Sequence, residues 1–342
     1  MRVAMYYSNK DVRIEEAPFL KVKKGEVLMQ VMASGICGSD VMEWYRIHKV
    51  PLVLGHEVAG KIIEVGRGVK KYKRGERIVA AHHVPCMMCR YCKSGHPTVC
   101  DTLRSTNFYP GGFSEYVLLP SINVKRGIFR IPKNVSYEEA TFAEPLGCVL
   151  RAQRLADVRK GNVVFVVGAG VSGSLHAQVA QLNHAKCVIT SDVVPKKLKA
   201  AKRLGADYTI NAAKIKDIPG KIKKITGGKL ADVVILCAGT KPAFLAALGS
   251  VERGGTVLIF SAAEKNLAFP LSINDIFWRT EVKLLSSYAA SPAEHAFALK
   301  LISGKKINVA GMITHRLPLT EAKKGFKLIA EGKNALKVII KP

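Results

Sequence analysis

Long apolar runs are missing from this chain. Its first residues, Met1-Arg2-Val3-Ala4-Met5, lack the extended apolar core of a secretion signal. The longest stretch without a formal charge, residues 161–185, is broken by Asn162, His176, Gln178, Gln181, Asn183 and His184 and is too polar for a membrane span. The expectation is a soluble, cytoplasmic protein with no membrane partner. Acidic side chains are scarce: 26 against 53 Lys and Arg leave a net charge of +27. Such a balance suits nucleic acid, an anionic membrane or an acidic small molecule. The cations are dispersed over residues 21–24, 67–77, 196–203, 214–224 and 323–341, which reads first as a solvated surface. Glutamine is nearly absent (Gln30, Gln153, Gln178, Gln181), a weak hint of a hot habitat that the low acidic content does not reinforce. Disorder is excluded by 48% hydrophobic and 23% charged residues. The 342 residues suit two domains of about 150 residues each.

Cysteine is present and unevenly placed. Four of the eight, Cys86, Cys89, Cys92 and Cys100, crowd into one segment as C-x2-C-x2-C-x7-C. Without a secretion signal, this spacing points to a metal rather than to disulfides. Four thiolates complete a zinc tetrahedron and leave no place for water, the mark of a structural site. The tight x2 turns let backbone amides donate to the sulfurs. Cys187 lies in an apolar run and Cys237 ends one, so both read as small buried hydrophobes, and Cys148 reads as packing. Cys37 differs, lying in the small-residue turn Gly35-Ile36-Cys37-Gly38-Ser39-Asp40, where a thiolate can be presented.

From about residue 160 the pattern is strand, glycine turn, helix. Residues 162–167 form a β-branched run suited to a strand buried on both faces. Gly168-Ala169-Gly170-Val171-Ser172-Gly173 follows, then a helix through Gln181. In this setting the three glycines give a tight turn, close pyrophosphate approach and helix-on-strand packing, and the helix start offers free N–H groups to phosphates. The next strand, residues 186–191, ends at Asp192, 19 residues past Gly173. A carboxylate there accepts ribose hydroxyls and repels the extra phosphate of NADP. Lys196 and Lys197 follow at once; solvated residues opening a helix is the first reading of the pair, a phosphate contact the second, and Lys197 is kept among the cofactor-binding candidates. Helices at 196–204 and 242–251 and strands at 231–237, 256–260 (after Gly254-Gly255) and 282–287 extend the alternation into one doubly wound parallel sheet.

Residues 1–146 read as an irregular β domain, with strands at 2–6, 26–33, 58–65, 77–80 and 113–118 split by glycines and prolines. The tail from about Ser291 carries helices at 293–303 and 320–331 and a strand at 335–340, and is expected to return to that domain. A second set of metal-ligand types lies here: Cys37, His56, Glu57 and Glu144. Thiolate, imidazole and carboxylate together suit zinc, and three protein ligands with one open position make a catalytic site. Spacing alone leaves open that each is structural. His56 and Glu57 are adjacent and cannot both face a metal from a regular strand, so the chain must turn between them.

These motifs together resemble the zinc-dependent medium-chain dehydrogenase/reductase family, in its polyol (sorbitol or L-iditol) dehydrogenase branch. The resemblance rests on the Cys37 turn, Gly55-His56-Glu57-Val58-Ala59-Gly60, Gly66, Gly75-Glu76-Arg77-Ile78, the cysteine lobe, Gly111-Gly112-Phe113-Ser114-Glu115-Tyr116, Glu144-Pro145-Leu146 and the glycine loop. It implies an α/β chain with a GroES-like irregular β catalytic domain (1–146 and 288–342, with a structural-zinc lobe at 84–102) around a Rossmann NAD-binding domain (147–287), assembled as a homodimer or homotetramer. It implies two zinc ions per chain, one structural, the other held by Cys37, His56 and Glu57 with Glu144 beside it. It gives Ser39 the part of proton relay, with Glu57 and Glu144 also at the reaction centre. The family's relay histidine is replaced here by Met42, which cannot pass a proton, so release falls to water, Glu43, His48 or the ribose hydroxyls.

The activity implied is hydride transfer between NAD and a polyol, cyclitol or sugar-derivative alcohol, giving the ketone, with zinc as Lewis acid. L-threonine, simple alcohols and aldoses are alternatives within the family. A basic zinc-ribbon protein binding nucleic acid is the alternative of another class; it leaves the glycine loop, Asp192 and Gly55-His56-Glu57 without a use, so no nucleic-acid partner is expected. The resemblance also places the stretch after Cys37 at the substrate pocket. Trp44, Arg46 and Lys49 are its candidates, with the two cations fitting an anionic sugar derivative; side chains that simply point to solvent are the competing reading.

Overall fold

The computed structural model describes residues 1–268 and 272–342, and of Asp275 the backbone alone. The chain divides into two compact units, Met1–Gly147 with Ala289–Pro342, and Cys148–Tyr288. Among the described residues no helix is long and apolar enough to cross a membrane.

The first unit is organised by the strand Val27–Gly35, buried at nearly every position. It pairs antiparallel with Glu57–Val65, which pairs with Arg77–Ala81, and that with Ile128–Arg130. Its other edge is shared. Tyr116–Leu119 pairs with its first half, and the C-terminal strand Lys337–Lys341 pairs with Ser34 and Gly35 at its end, carrying Ile313–Pro318 in parallel. A hairpin, Arg2–Ser8 and Asp11–Glu16, forms a separate small sheet with Leu52–Val53. Asp11–Glu16 escapes a sequence reading because Val12 is its one buried residue. Tyr6, Phe113 and Phe326 are fully buried and pack ring on ring at 5.4 and 5.5 Å, each worth about 1.5–3 kcal/mol of burial. They join residues from both ends of the chain into one apolar cluster.

The second unit is a six-stranded, all-parallel sheet. Its spatial order is Tyr208–Asn211, Cys187–Asp192, Val163–Val167, Ala231–Leu236, Val251–Ile259, Lys283–Ser286. Numbered along the chain this is 3-2-1-4-5-6, the doubly wound order, which reverses beside Val163–Val167 and leaves a crevice at the strands' carboxyl ends. That strand is buried throughout, as its unbroken β-branched run requires. Two expectations need correction here. Val251 is not helical: the helix stops at Gly249 and Val251 opens the fifth strand. Gly254 and Gly255 do not precede that strand but lie inside it. Gly254 adopts φ +75°, and the register against the fourth strand shifts between Ala231 and Val233, so the glycines form an irregularity that pairing continues past.

Candidate metal centre and cofactor cradle

Gly35 ends its strand, and the chain then tightens into the turn Gly38–Val41. The Cys37 N–H donates to Asp40 Oδ2 at 3.0 Å, which locks the turn that presents the Cys37 thiol. Gly55, at φ +96°, bends the chain just ahead of the strand Glu57–Val65; a Cβ there would lie 2.9 Å from the Phe113 nitrogen. His56 therefore stands off the strand while Glu57 begins it. The ligand atoms of Cys37, His56 and Glu57 all lie within 4.8 Å of one another. Thiolate, imidazole and carboxylate at that separation fit zinc.

Two further charged groups support these donors, and the sequence reading assigned neither. Asp40 is wholly buried, and its Oδ1 lies 3.3 Å from His56 Nδ1. With a carboxylate on the Nδ1 side of the ring, Nε2 is the atom available to a cation. Burial pushes the Asp40 carboxyl up, but His56, the Cys37 N–H and Arg46 outweigh it and hold it low. Burial likewise works against a charged His56, yet Asp40 and Cys37 raise its pKa well above the usual imidazole value. The second group is Lys337. Its ammonium pairs with Glu57 Oε2 and donates to the Ile36 carbonyl at 3.3 Å, both side chains being 1% exposed. The two side chains flank Gly35, where a Cβ would come within 2.1 Å of Glu57 Oε2. Burial raises the Glu57 carboxyl pKa, with Lys337 and His56 pulling it down and Glu144 adding to the rise.

Glu144, expected beside the zinc, is not in the 4.8 Å set. It sits at the start of the helix Ala143–Leu155, and its charge reaches the cluster, acting on Glu57 and His83. Ser39 is partly exposed. Met42 closes the turn with its carbonyl, accepting from the Tyr45 and Arg46 N–H groups. Two histidines just ahead of the cysteine lobe also come to this place. The His82 ring lies 5.9 Å from His56, 3.9 Å from His83 and 5.2 Å from Phe108. Burial keeps both of these imidazoles neutral, His82 strongly so. Their only sequence signal is the dipeptide itself.

Of the substrate candidates, Trp44 is exposed and edge-on to Tyr45. Lys49 stacks its ammonium on the Tyr45 ring at 4.1 Å. Arg46 turns inward: its Nε donates to the Ser39 carbonyl at 3.1 Å, and it reaches to 3.9 Å from Asp40 Oδ1.

The four cysteines of the lobe converge on one point, within 4.8 Å of one another. The sulfur separations are 3.9 Å for Cys86–Cys92, 3.6 Å for Cys89–Cys92 and 3.6 Å for Cys86–Cys100. Zinc bonded to four sulfurs at about 2.3 Å gives a tetrahedron with edges of about 3.8 Å. A disulfide, at about 2.05 Å, is excluded. Amides of Met88 and Cys89 donate to Cys86 Sγ at 3.3 and 3.2 Å, and lower its pKa. These are the turn amides expected from the x2 spacings.

In the second unit, Gly168 adopts φ +101° and a Cβ on Gly173 would lie 1.8 Å from the Gly168 carbonyl, so only glycine fits there. A Cβ on Gly170 would meet nothing within 4 Å, leaving open space before the helix Val171–Leu182. Val171 and Ser172 open that helix, partly exposed. Asp192 Oδ2 accepts from the Ala169 N–H and Oδ1 from the Val194 N–H, each at 2.8 Å. Each oxygen retains a lone pair for a ribose hydroxyl. Lys197 lies in the first turn of the helix Pro195–Arg203. The open loop, the helix N-terminus and the carboxylate together fit a dinucleotide.

Two family models match the sequence: the alcohol dehydrogenase GroES-like domain over residues 23–133, and the zinc-binding dehydrogenase model over residues 172–304. Sorbitol dehydrogenase 1 of Saccharomyces cerevisiae is 33% identical over 96% of this chain and 95% of its own length. L-threonine 3-dehydrogenase of Rhizobium johnstonii is 30% identical over 96% of this chain and 94% of its own. Among solved structures, a zinc-binding dehydrogenase of Sinorhizobium meliloti bound to NADP matches with a TM-score of 0.87 at 28% identity, covering 100% of this chain and 99% of that one.

Proposed function

We propose, for a chain that belongs to the zinc-dependent medium-chain dehydrogenase/reductase family in its polyol dehydrogenase branch, that it oxidises an alcohol of a polyol, cyclitol or related sugar derivative to the ketone, with NAD as hydride acceptor. The observation that carries this reading is the donor set of Cys37, His56 and Glu57 within 4.8 Å, its imidazole held by a buried carboxylate. When bound there, zinc supplies a Lewis acid of the kind that lowers the pKa of water from about 15.7 to about 7, and the nicotinamide accepts the hydride.

The chain's own residues do the rest. Asp40 fixes the tautomer of His56. Lys337 compensates the buried charge of Glu57, and Glu144 adds a second carboxylate beside the donors. Ser39 is the hydroxyl that takes the substrate proton first. Met42 has no group to hand it on, so the proton leaves through water, Glu43, His48 or the ribose hydroxyls. Trp44 and Lys49 are retained as substrate contacts. We assign residues 1–146 and 288–342 to catalysis, residues 147–287 to the cofactor, and Cys86, Cys89, Cys92 and Cys100 to a structural zinc. Gly168, Gly170, Val171, Ser172, Gly173 and Lys197 would receive the pyrophosphate side of the cofactor, and Asp192 its ribose, favouring NAD over NADP by charge repulsion. The family resemblance supports a cytoplasmic homodimer or homotetramer.

The likeness to an L-threonine dehydrogenase favours a second reading, with that amino alcohol as substrate. Zinc-loaded protein incubated with NAD and a panel of polyols, cyclitols, sugar acids and L-threonine, followed by NADH absorbance, separates the two. Reduction of NAD by a polyol or cyclitol is the expected result; turnover of L-threonine alone would transfer the assignment to the second reading. Failure to bind NADH, with nucleic acid retained through purification, would remove the enzyme reading altogether.

A further inference from the structure

Arg46 stands where a cation could greet a substrate anion, yet its donors are directed elsewhere. The short helix Glu43–Arg46 turns its last side chain back toward the Cys37 turn. There Nε donates to the Ser39 carbonyl at 3.1 Å and a terminal nitrogen lies 3.9 Å from Asp40 Oδ1. The Arg46 side chain is 16% exposed, against 59% for Arg13, a surface arginine paired with Asp11. The Tyr45 ring covers the guanidinium from one side, 4.8 Å from Cζ.

What Arg46 touches is a hub. Asp40 Oδ2 takes the Cys37 N–H at 3.0 Å, and Oδ1 faces His56 Nδ1 at 3.3 Å. One carboxylate thus sets the position of two metal donors from separate segments. It is also fully buried, and an ionised carboxylate without water needs compensating charge. An imidazole bound to metal through Nε2 is neutral. The Cys37 amide and the His56 Nδ1–H then offer only dipoles, and Arg46 brings the formal positive charge.

We propose that Arg46 is a positioning residue of the metal centre: it holds Asp40 and the Ser39 backbone, and through Asp40 it sets the Cys37 turn and the His56 ring. The inference rests on the metal reading above. It withdraws Arg46 from the substrate anion site expected of it, and it gives the planar guanidinium a task one ammonium cannot perform. Nε donates to the Ser39 carbonyl while a terminal nitrogen brings the positive charge to 3.9 Å from Asp40 Oδ1.

The test uses full-length, zinc-loaded protein, wild type, Arg46→Ala and Arg46→Lys. Two quantities are followed: loss of each zinc to a chelator, and kcat/KM for a neutral polyol and for its aldonic acid. Loss of an outer partner of a metal ligand weakens a metal site about tenfold to hundredfold. The expected result is zinc release from the Cys37–His56–Glu57 site faster by up to that factor in Arg46→Ala, since Arg46 acts through Asp40, intermediate release in Arg46→Lys, and unchanged release from the four-cysteine site. The kcat/KM values should fall by equal factors on both substrates. In an Asp40→Asn background, Arg46→Ala should add little, because the two act through one contact.

Selective loss on the aldonic acid with zinc release unchanged would overturn the proposal and return Arg46 to substrate binding. So would equal loosening of both zinc sites, the signature of a general loss of stability, or no effect at all. A wild type that holds only the four-cysteine zinc would overturn the metal reading itself, and the proposal with it; that outcome is read before any variant is made.

Discussion

The two metal-ligand clusters of this chain are built in opposite ways. The four-cysteine lobe draws every sulfur from residues 86–100 and buffers them with amides of its own turns. Its donors fill a tetrahedron, and the residues between them, such as Met88 at 68% exposed, face water. The Cys37–His56–Glu57 cluster gathers donors from two segments, supports them with Asp40 and Lys337, and buries those supports completely. Glu57 and Lys337 are 280 residues apart in sequence. A closed site can be local because nothing has to enter it. A site that leaves a coordination position open must hold its three donors by other means, and buried charge pairs from distant strands provide them.

The sharpest way to break this comparison is to remove one sulfur from each cluster. Cys37→Ser should lose one zinc of two and nearly all activity while the fold persists, checked by elemental analysis alongside turnover. One zinc or none in metal-replete wild type would refute the pairing. Cys89→Ser should act on stability instead, since a closed thiolate site contributes folding energy. Its thermal midpoint should drop by many degrees, with the Cys37 zinc still present before unfolding.

Lys337→Met tests the buried support. Removing one partner of a buried pair costs about 3–5 kcal/mol, read as a lower denaturation midpoint, and adding Glu57→Gln should restore part of it. If Lys337→Met is neutral, the pair is not what holds Glu57. Asp192→Ala, in the other unit, should relax the preference for NAD over NADP about tenfold to hundredfold, the size of lost charge-assisted hydrogen bonds; a wild type that prefers NADP would void the assignment.

Acid offers the smallest effect at neutral pH. Burial pushes the pKa of His176 down from 6.5 to about 3. A depressed histidine binds its proton more readily when unfolded, so this contribution is complete above about pH 6.5 and is lost as pH falls toward 3. His176→Leu should flatten the stability profile of metal-depleted protein in that window. An unchanged slope would place the acid sensitivity elsewhere.

Much of this molecule can be read without coordinates because its chemistry is local. Sulfurs at x2 spacing must turn toward one another, and a glycine loop between a β-branched strand and a helix has few other uses. Asp192 follows from the same logic, since strand length places it at the end of the second strand of the sheet. Cys37 and His56 are legible as candidate donors, each in its own turn.

Folding alone decided which charges meet across the sheet. Lys337 reaches Glu57 because the C-terminal strand pairs at the end of Val27–Gly35, where Gly35 leaves room between them. Sequence spacing carries no record of that register. The sequence makes Arg46 a candidate for a substrate anion, with solvent as the competing reading, and only the direction in which a one-turn helix releases its last side chain sends it toward Asp40. Glu144 stayed outside the donor set for a similar reason: it opens a helix whose axis fixes its reach. Residue type and short spacing specify which atoms can ligate; strand register and helix direction, set by burial of the apolar core, specify which of them come together.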